Sequence, residues 1–287
     1  MLRVGILGIG QMGAPIAAAL IKAGYAVSVC DIDRERMNAL AQAGAIPRGD
    51  PGDLAASSDV VITLLTYPKV VEDVLLRAGG VLDGLKRDAI LVECSSIDDE
   101  TARKIAARAK VQGSRFVEAA LIGRPVLVER KQLLVLTSGD EQIVEQCRPI
   151  FDAFARKVLY AGEFGTVKLL KIANALLNAA EIAVASETLA WSMRQGVSSE
   201  AFLGLLSERS PARAKQLGEI LGGKLAKQQS WVLKDLYHGL KSAGETETPM
   251  PIASAVIAVV TLAKSDNTEG YGLTEMVWKF YERTIKK

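Results

Sequence analysis

Two groups of residues in this 287-residue chain have types and spacings that could do chemistry. The first is Gly8-Ile9-Gly10-Gln11-Met12-Gly13, which follows the apolar run from Val4 to Leu7 and precedes a helical pattern from Ala14 to Ala23. In such a turn Gly8 permits the sharp bend, Gly10 lets the backbone approach a pyrophosphate, and Gly13 lets the helix pack on the strand. The helix N-terminus then draws the phosphates. A second apolar run, Ala26 to Cys30, ends on Asp31, 23 residues after Gly8. A carboxylate there accepts hydrogen bonds from the adenosine ribose hydroxyls and repels a 2′-phosphate, so the expected cofactor is NAD. Arg34 and Arg36 stand close enough to reach a 2′-phosphate and keep NADP open.

The second group is Lys171, Asn174 and Asn178, whose i, i+3, i+7 spacing puts them on one face of a helix. The segment Gly165 to Arg194 reads as one helix of about 30 residues, about 45 Å long. It is apolar on most sides, as in a helix inside a bundle or between subunits. The polar stripe then reads either as the lining of a cleft or as a face meeting solvent. Burial penalises a lysine's charge and pulls its pKa down from about 10.4, so Lys171 can take a hydroxyl proton. Protonated, it can give one to a carbonyl oxygen. Asn174, one turn on, would fix that oxygen or the lysine.

These residues need a scaffold. From Met1 to about Tyr160 short β-rich runs alternate with helical segments: Arg3–Leu7, Ala26–Cys30, Val60–Leu64, Ile90–Glu93, Arg115–Ala119, Leu133–Thr137 and Val158–Tyr160. That alternation predicts an α/β fold, a doubly wound, mostly parallel Rossmann sheet. Asp33 and Asp98 stand where they would cap the helices that follow. After Gly165 no strand pattern remains, and helices are broken at Gly196-Val197-Ser198-Ser199, Ser210-Pro211, Gly222-Gly223, Thr248-Pro249 and Asn267-Thr268-Glu269-Gly270. The expected domains are 1–163, binding dinucleotide, and 164–287, all-helical, for substrate and dimerisation, with the long helix between them.

Length and a 49% hydrophobic content suit two domains. With 35 basic and 33 acidic residues and no block of one sign, no nucleic-acid partner is expected. The first strand begins at Arg3, leaving no room for a signal peptide, and the apolar stretches fall short of a membrane span, so a cytoplasmic protein is expected. Cys30, Cys94 and Cys147 lie in or beside apolar runs without a C-x-x-C, as reduced structural thiols do. A single histidine, His238, argues against a multi-histidine metal site and a Ser-His-Asp apparatus. The base must be something else, and Lys171 is the candidate.

With these motifs in order, the chain resembles the β-hydroxyacid dehydrogenase family, the group of 3-hydroxyisobutyrate dehydrogenase and tartronate semialdehyde reductase, more distantly related to 6-phosphogluconate dehydrogenase. The resemblance rests on Gly8 to Pro15, on Asp59 to Leu65, on Glu93-Cys94-Ser95-Ser96-Ile97, and on the lysine motif from Gly165 through Lys171 to Asn174. It continues through Lys234-Asp235-Leu236 and Pro251 to Gly270 and Gly272. It implies hydride transfer between nicotinamide and a small β-hydroxyacid or semialdehyde, with Lys171 as general acid or base. It adds Leu64, Leu65, Ser96 and Lys234 to the cofactor set. Lys234 also reads as a plain surface lysine, and Trp231, one turn before it, as core packing or as a substrate wall.

Two departures stand out. Ala175 follows Asn174 where relatives often carry a second amide. The substrate loop reads Glu118-Ala119-Ala120-Leu121-Ile122-Gly123-Arg124-Pro125, so Ile122 replaces the serine that usually holds the substrate carboxylate. Ile122, Gly123 and Arg124 therefore define an altered pocket, in which Arg124 is either a new carboxylate anchor or a solvent-facing arginine. An imine or other non-acid reductase, and a dinucleotide binder without chemistry, are the alternatives. The apolar long helix predicts a homo-oligomer, minimally a dimer.

Overall fold

Alternate residues of the central strands go to opposite faces of one sheet, which is what a strand buried on both sides requires. Val60 and Ile62 join one apolar cluster and Val61 the other; Ile90 and Val92 divide from Leu91 in the same way. Each side chain so buried contributes about 1.5–3 kcal/mol. The computed structural model describes residues 2–95, 97–224, 232–265 and 271–285. Ser96, Trp231 and Gly270 lie outside the described residues.

The chain divides into two compact units, Met1–Leu170 and Lys171–Lys287. In the first, the order is β1 (Arg3–Leu7), α1 (Gly13–Lys22), β2 (Ala26–Cys30), α2 (Arg34–Gln42), β3 (Ile46–Pro47), α3 (Pro51–Ala56), β4 (Val60–Thr63), α4 (Pro68–Leu76) and α5 (Val81–Gly84). There follow β5 (Ile90–Glu93), α6 (Asp99–Gln112), β6 (Arg115–Ile122), α7 (Val126–Glu129), β7 (Leu133–Gly139), α8 (Glu141–Phe151) and β8 (Ala155–Tyr160). The sheet runs β3-β2-β1-β4-β5-β6-β7-β8, parallel throughout except between β6 and β7. Strand order reverses at β1, whose neighbours are β2 and β4. The C-terminal ends of β1 and β4 therefore flank the crevice where such sheets take ligands.

Asp33 accepts from the Glu35 and Arg36 amides at the start of α2, and Asp98 from the Thr101 amide at the start of α6. β3 is two residues long and contains Pro47, too short for an alternation to register and tolerable only at a sheet edge. β6 extends to Ile122, past the Ala119 expected from sequence, because Leu121 and Ile122 pair with Val135 and Leu134 of β7.

α9 (Thr166–Arg194) belongs to both units. Its first turn is held in the first unit by the buried Glu118, whose Oε2 accepts from the Gly165 amide at 2.5 Å and from Ser138 Oγ at 3.0 Å. Lys168 Nζ lies 3.4 Å from Glu118 Oε1 and donates to the Asp98 carbonyl at 2.9 Å.

The second unit continues α9 from Lys171 and adds α10 (Ser199–Arg209), α11 (Pro211–Leu221), α12 (Val232–Glu245), α13 (Pro251–Ser265) and α14 (Leu273–Ile285). Ala179 and Ile182 of α9 pack with Leu236, Val260 and Val277, and Leu189 packs with Leu217 and Trp278. α9 buries less of itself than its apolar composition suggests: Leu177 is 67% and Trp191 64% exposed. It is long and apolar enough, by length and composition only, to span a membrane, where the sequence predicts apolar stretches too short for one.

Candidate active site

In the first unit the glycine turn joins β1 to α1. Gly8 has φ +90°, and a Cβ there would come 2.6 Å from the Leu64 carbonyl oxygen. A Cβ on Gly13 would collide with the Gly8 carbonyl. Both glycines are thus required by the protein's own backbone. Gly10 is different: the nearest atom to a Cβ would be Arg36 Nη1 at 3.9 Å, so the space over Gly10 is open. The first turn of α1 carries no acidic residue, and Met12 at its N-cap gives no side-chain hydrogen bond. An open glycine before an uncapped helix start fits a pyrophosphate.

Ile9 is buried, Gly10 and Met12 are half-buried, and Gln11 is exposed. Asp31 Oδ2 accepts from the Ile9 amide at 2.7 Å and Oδ1 from the Asp33 amide at 2.9 Å. The carboxylate at the end of β2 thus braces the glycine turn, and each oxygen keeps a second lone pair for a ribose hydroxyl. Arg36 is paired with Asp33, Nε to Oδ2 at 2.9 Å. With Asp31 in place, kcat/KM is expected to favour NADH over NADPH, and Asp31→Ala is expected to narrow the ratio. A tenfold advantage of the wild type for NADPH, about 1.4 kcal/mol, would overturn this.

Leu64 and Leu65 follow β4. The Leu64 amide donates to the Leu7 carbonyl at 2.8 Å, and the Leu65 amide to Ser95 Oγ at 2.9 Å. Ser95 donates its own amide to Glu93 Oε1 at 2.5 Å, and Thr63 Oγ1 donates to Glu93 Oε2 at 2.5 Å. This chain fixes the ends of β4 and β5 beside the crevice. Glu93 is buried, and desolvation raises its pKa despite these donors. The sequence reading missed this network, because a lone glutamate at a strand end carries no periodic signal.

Ile122 ends β6 and packs with Ala120, Leu136 and Val167, so it belongs to the sheet and not to a loop. Gly123 turns the chain at φ +141°, where a Cβ would meet Leu133 and Leu127, and Arg124 is exposed.

In the second unit Lys171 is half-buried, while Asn174 and Asn178 are exposed. α12 packs close on this stretch of α9 through Gly239, whose Cβ would come 2.9 Å from Ile172 and 3.1 Å from Leu176. Close packing at Ile172 and Leu176 thus holds the stretch of α9 that carries Lys171. Lys234 is exposed on α12. The sequence reading missed Arg213 of α11, a buried guanidinium whose Nη2 donates to Asn178 Oδ1 at 2.7 Å.

An eight-stranded sheet with its switch at β1, a glycine turn opening on a helix start, and a helical second unit define a Rossmann-type dinucleotide-binding protein. Residues 3–162 match the family of the NAD binding domain of 6-phosphogluconate dehydrogenase. The chain belongs to the β-hydroxyacid dehydrogenase family, in the 6-phosphogluconate dehydrogenase superfamily, and its cofactor is NAD(P). It is 30% identical to NAD-dependent L-serine dehydrogenase of Pseudomonas aeruginosa over 210 residues, 73% of this chain and 70% of that one. It is 27% identical to L-threonate dehydrogenase of Cupriavidus necator, covering 94% and 92% of the two chains. The fold matches Mycobacterium tuberculosis 3-hydroxyisobutyrate dehydrogenase with L-serine at a TM-score of 0.84 and 20% identity, covering 98% and 99%. In sequence the chain is also 27% identical to the human cytokine-like nuclear factor N-PAC over 92% of this chain, and it spans about half that relative's length, 48%.

Proposed function

We propose that the protein interconverts a small β-hydroxyacid and its semialdehyde or keto acid, with Lys171 as the general acid or base. The observation that carries this reading is Lys171 and Asn174 on one face of a helix whose backbone is held by the close packing of Gly239. The relatives named for L-serine, L-threonate and 3-hydroxyisobutyrate act on molecules that share a carboxylate and a hydroxyl on the third carbon.

The nicotinamide, when bound, supplies or accepts the hydride. The turn from Gly8 to Gly13 would hold the pyrophosphate and Asp31 the ribose. In the reductive direction protonated Lys171 gives its proton to the carbonyl oxygen. In the oxidative direction the neutral amine takes the hydroxyl proton. Asn174 donates its amide N–H to the same oxygen and holds it without transferring a proton. Initial rates with L-serine, L-threonate, 3-hydroxyisobutyrate, their aldehydes and a set of imines, each with NAD(H) and NADP(H), test the reading. Turnover confined to imines would replace it with the second reading, which the loss of the loop serine at Ile122 favours.

A homodimer through α9 is part of the proposal. Leu170, Leu177, Val184 and Trp191 are 43%, 67%, 58% and 64% exposed at seven-residue spacing, an apolar stripe about 30 Å long. A partner helix satisfies such a stripe, and Glu181, Glu187 and Thr188 beside it argue against lipid. Leu177→Glu with Val184→Glu is expected to turn a dimer into a monomer in sedimentation velocity. A wild type that is monomeric at all concentrations would refute the stripe's role.

A further inference from the structure

Arg213 is a buried cation whose counter-charge, among the described residues, is one exposed carboxylate. Its side chain is 9% exposed. Nη1 donates to Gln216 Oε1 at 2.6 Å and Nη2 to Asn178 Oδ1 at 2.7 Å, both neutral acceptors. Among the described residues the carboxylate in reach is Glu181, 3.3 Å from Nη2 and itself 62% exposed, so water screens the pair. Nε is buried and has no hydrogen-bond partner among the described residues. A guanidinium removed from water is costly until an anion meets it, and its planar fork suits a carboxylate.

The position gives the charge a use. Asn178 and Glu181 continue the face of α9 that carries Lys171 and Asn174, with Asn178 one turn beyond Asn174. Because Asn178 Oδ1 accepts from Arg213, its amide N–H groups are left for another acceptor. We infer that Arg213, with Asn178, receives the carboxylate of the substrate, and that Glu181 holds that place until the substrate displaces it. The inference rests on the reading of the α9 face as the substrate side.

The test uses calorimetric titration of the full chain, which needs no turnover. The probes are 3-hydroxyisobutyrate and L-threonate, each compared with its carboxamide. Glu181→Gln, an exposed and conservative change, is expected to raise the preference for acid over carboxamide about threefold by removing the internal competitor. Arg213→Gln is expected to lower that preference at least about tenfold, with Arg213→Lys retaining part of it. Glu181→Gln leaving the preference unchanged or lower, Arg213→Gln weakening acid and carboxamide equally, or a wild type that binds neither acid would each overturn the inference. Because binding is read directly, a Lys171→Ala variant that stays fully active would sink the assignment of the proton donor and leave this result standing.

Discussion

Lys171→Ala is expected to lower kcat by about two to four powers of ten while the Kd for NADH stays within about twofold. The separation is physical. Lys171 is in the helical unit, while the glycine turn and Asp31 proposed to hold the dinucleotide are in the other, each built from its own local contacts. On the proposed mechanism, removing the lysine takes away the proton donor and leaves the local contacts of the turn in place. Asn174→Ala is expected to cost less, because an amide orients the oxygen but cannot give it a proton. Stopped-flow measurement of hydride transfer, beside fluorescence titration of NADH, separates the two effects. Full activity of Lys171→Ala on any good substrate would remove it from the mechanism, and a larger loss at Asn174 would reverse the two roles.

Gly10→Ala should raise the Kd for NADH about a hundredfold or more and leave Tm within about 1 °C. The open space over Gly10 means that a methyl group there meets no atom closer than Arg36 Nη1 at 3.9 Å. The folded chain does not need this glycine; only a bound pyrophosphate does. Two hydrogen bonds to a charged phosphate, at about 1.5–3 kcal/mol each, account for the size of the loss. Gly13→Ala is the contrast. Its methyl collides with the Gly8 carbonyl, so α1 must shift away from β1, and Tm should fall by roughly 5 °C or more along with affinity. A Gly10→Ala protein that binds NADH normally would show that the turn does not hold the pyrophosphate.

What sequence could show here was local. The glycine turn was legible because its three glycines answer to contacts within one strand-turn-helix. The caps Asp33 and Asp98 were legible because a capping side chain reaches only two or three residues ahead. The strands from β1 to β8 showed through their apolar runs, except β3, which is too short to carry one. Pairings across distance were hidden. Nothing near Ser210-Pro211 marks Arg213 as buried, since its partners Asn178 and Glu181 are more than thirty residues earlier. Glu118 read as the start of a substrate loop; its hold on Gly165 and Lys168 depends on β6 lying beside the start of α9. The apolar composition of the long helix left open whether it lies inside a bundle or between subunits; which of its sides stay exposed follows from what α12, α13 and α14 cover.

The brace between Asp31 and the Ile9 amide bears on how quickly the cofactor can be caught. A glycine-rich turn left to itself samples many conformations, and a ligand that must order it gives up part of its affinity and its capture rate. Here one carboxylate ties the amides of Ile9 and Asp33, on two different strand ends, so the disorder is removed when the chain folds. NADH meets a turn already wound. Its association then resembles the docking of two rigid bodies, limited by diffusion and orientation, and the residence time is left as the quantity that substitutions around the turn would tune.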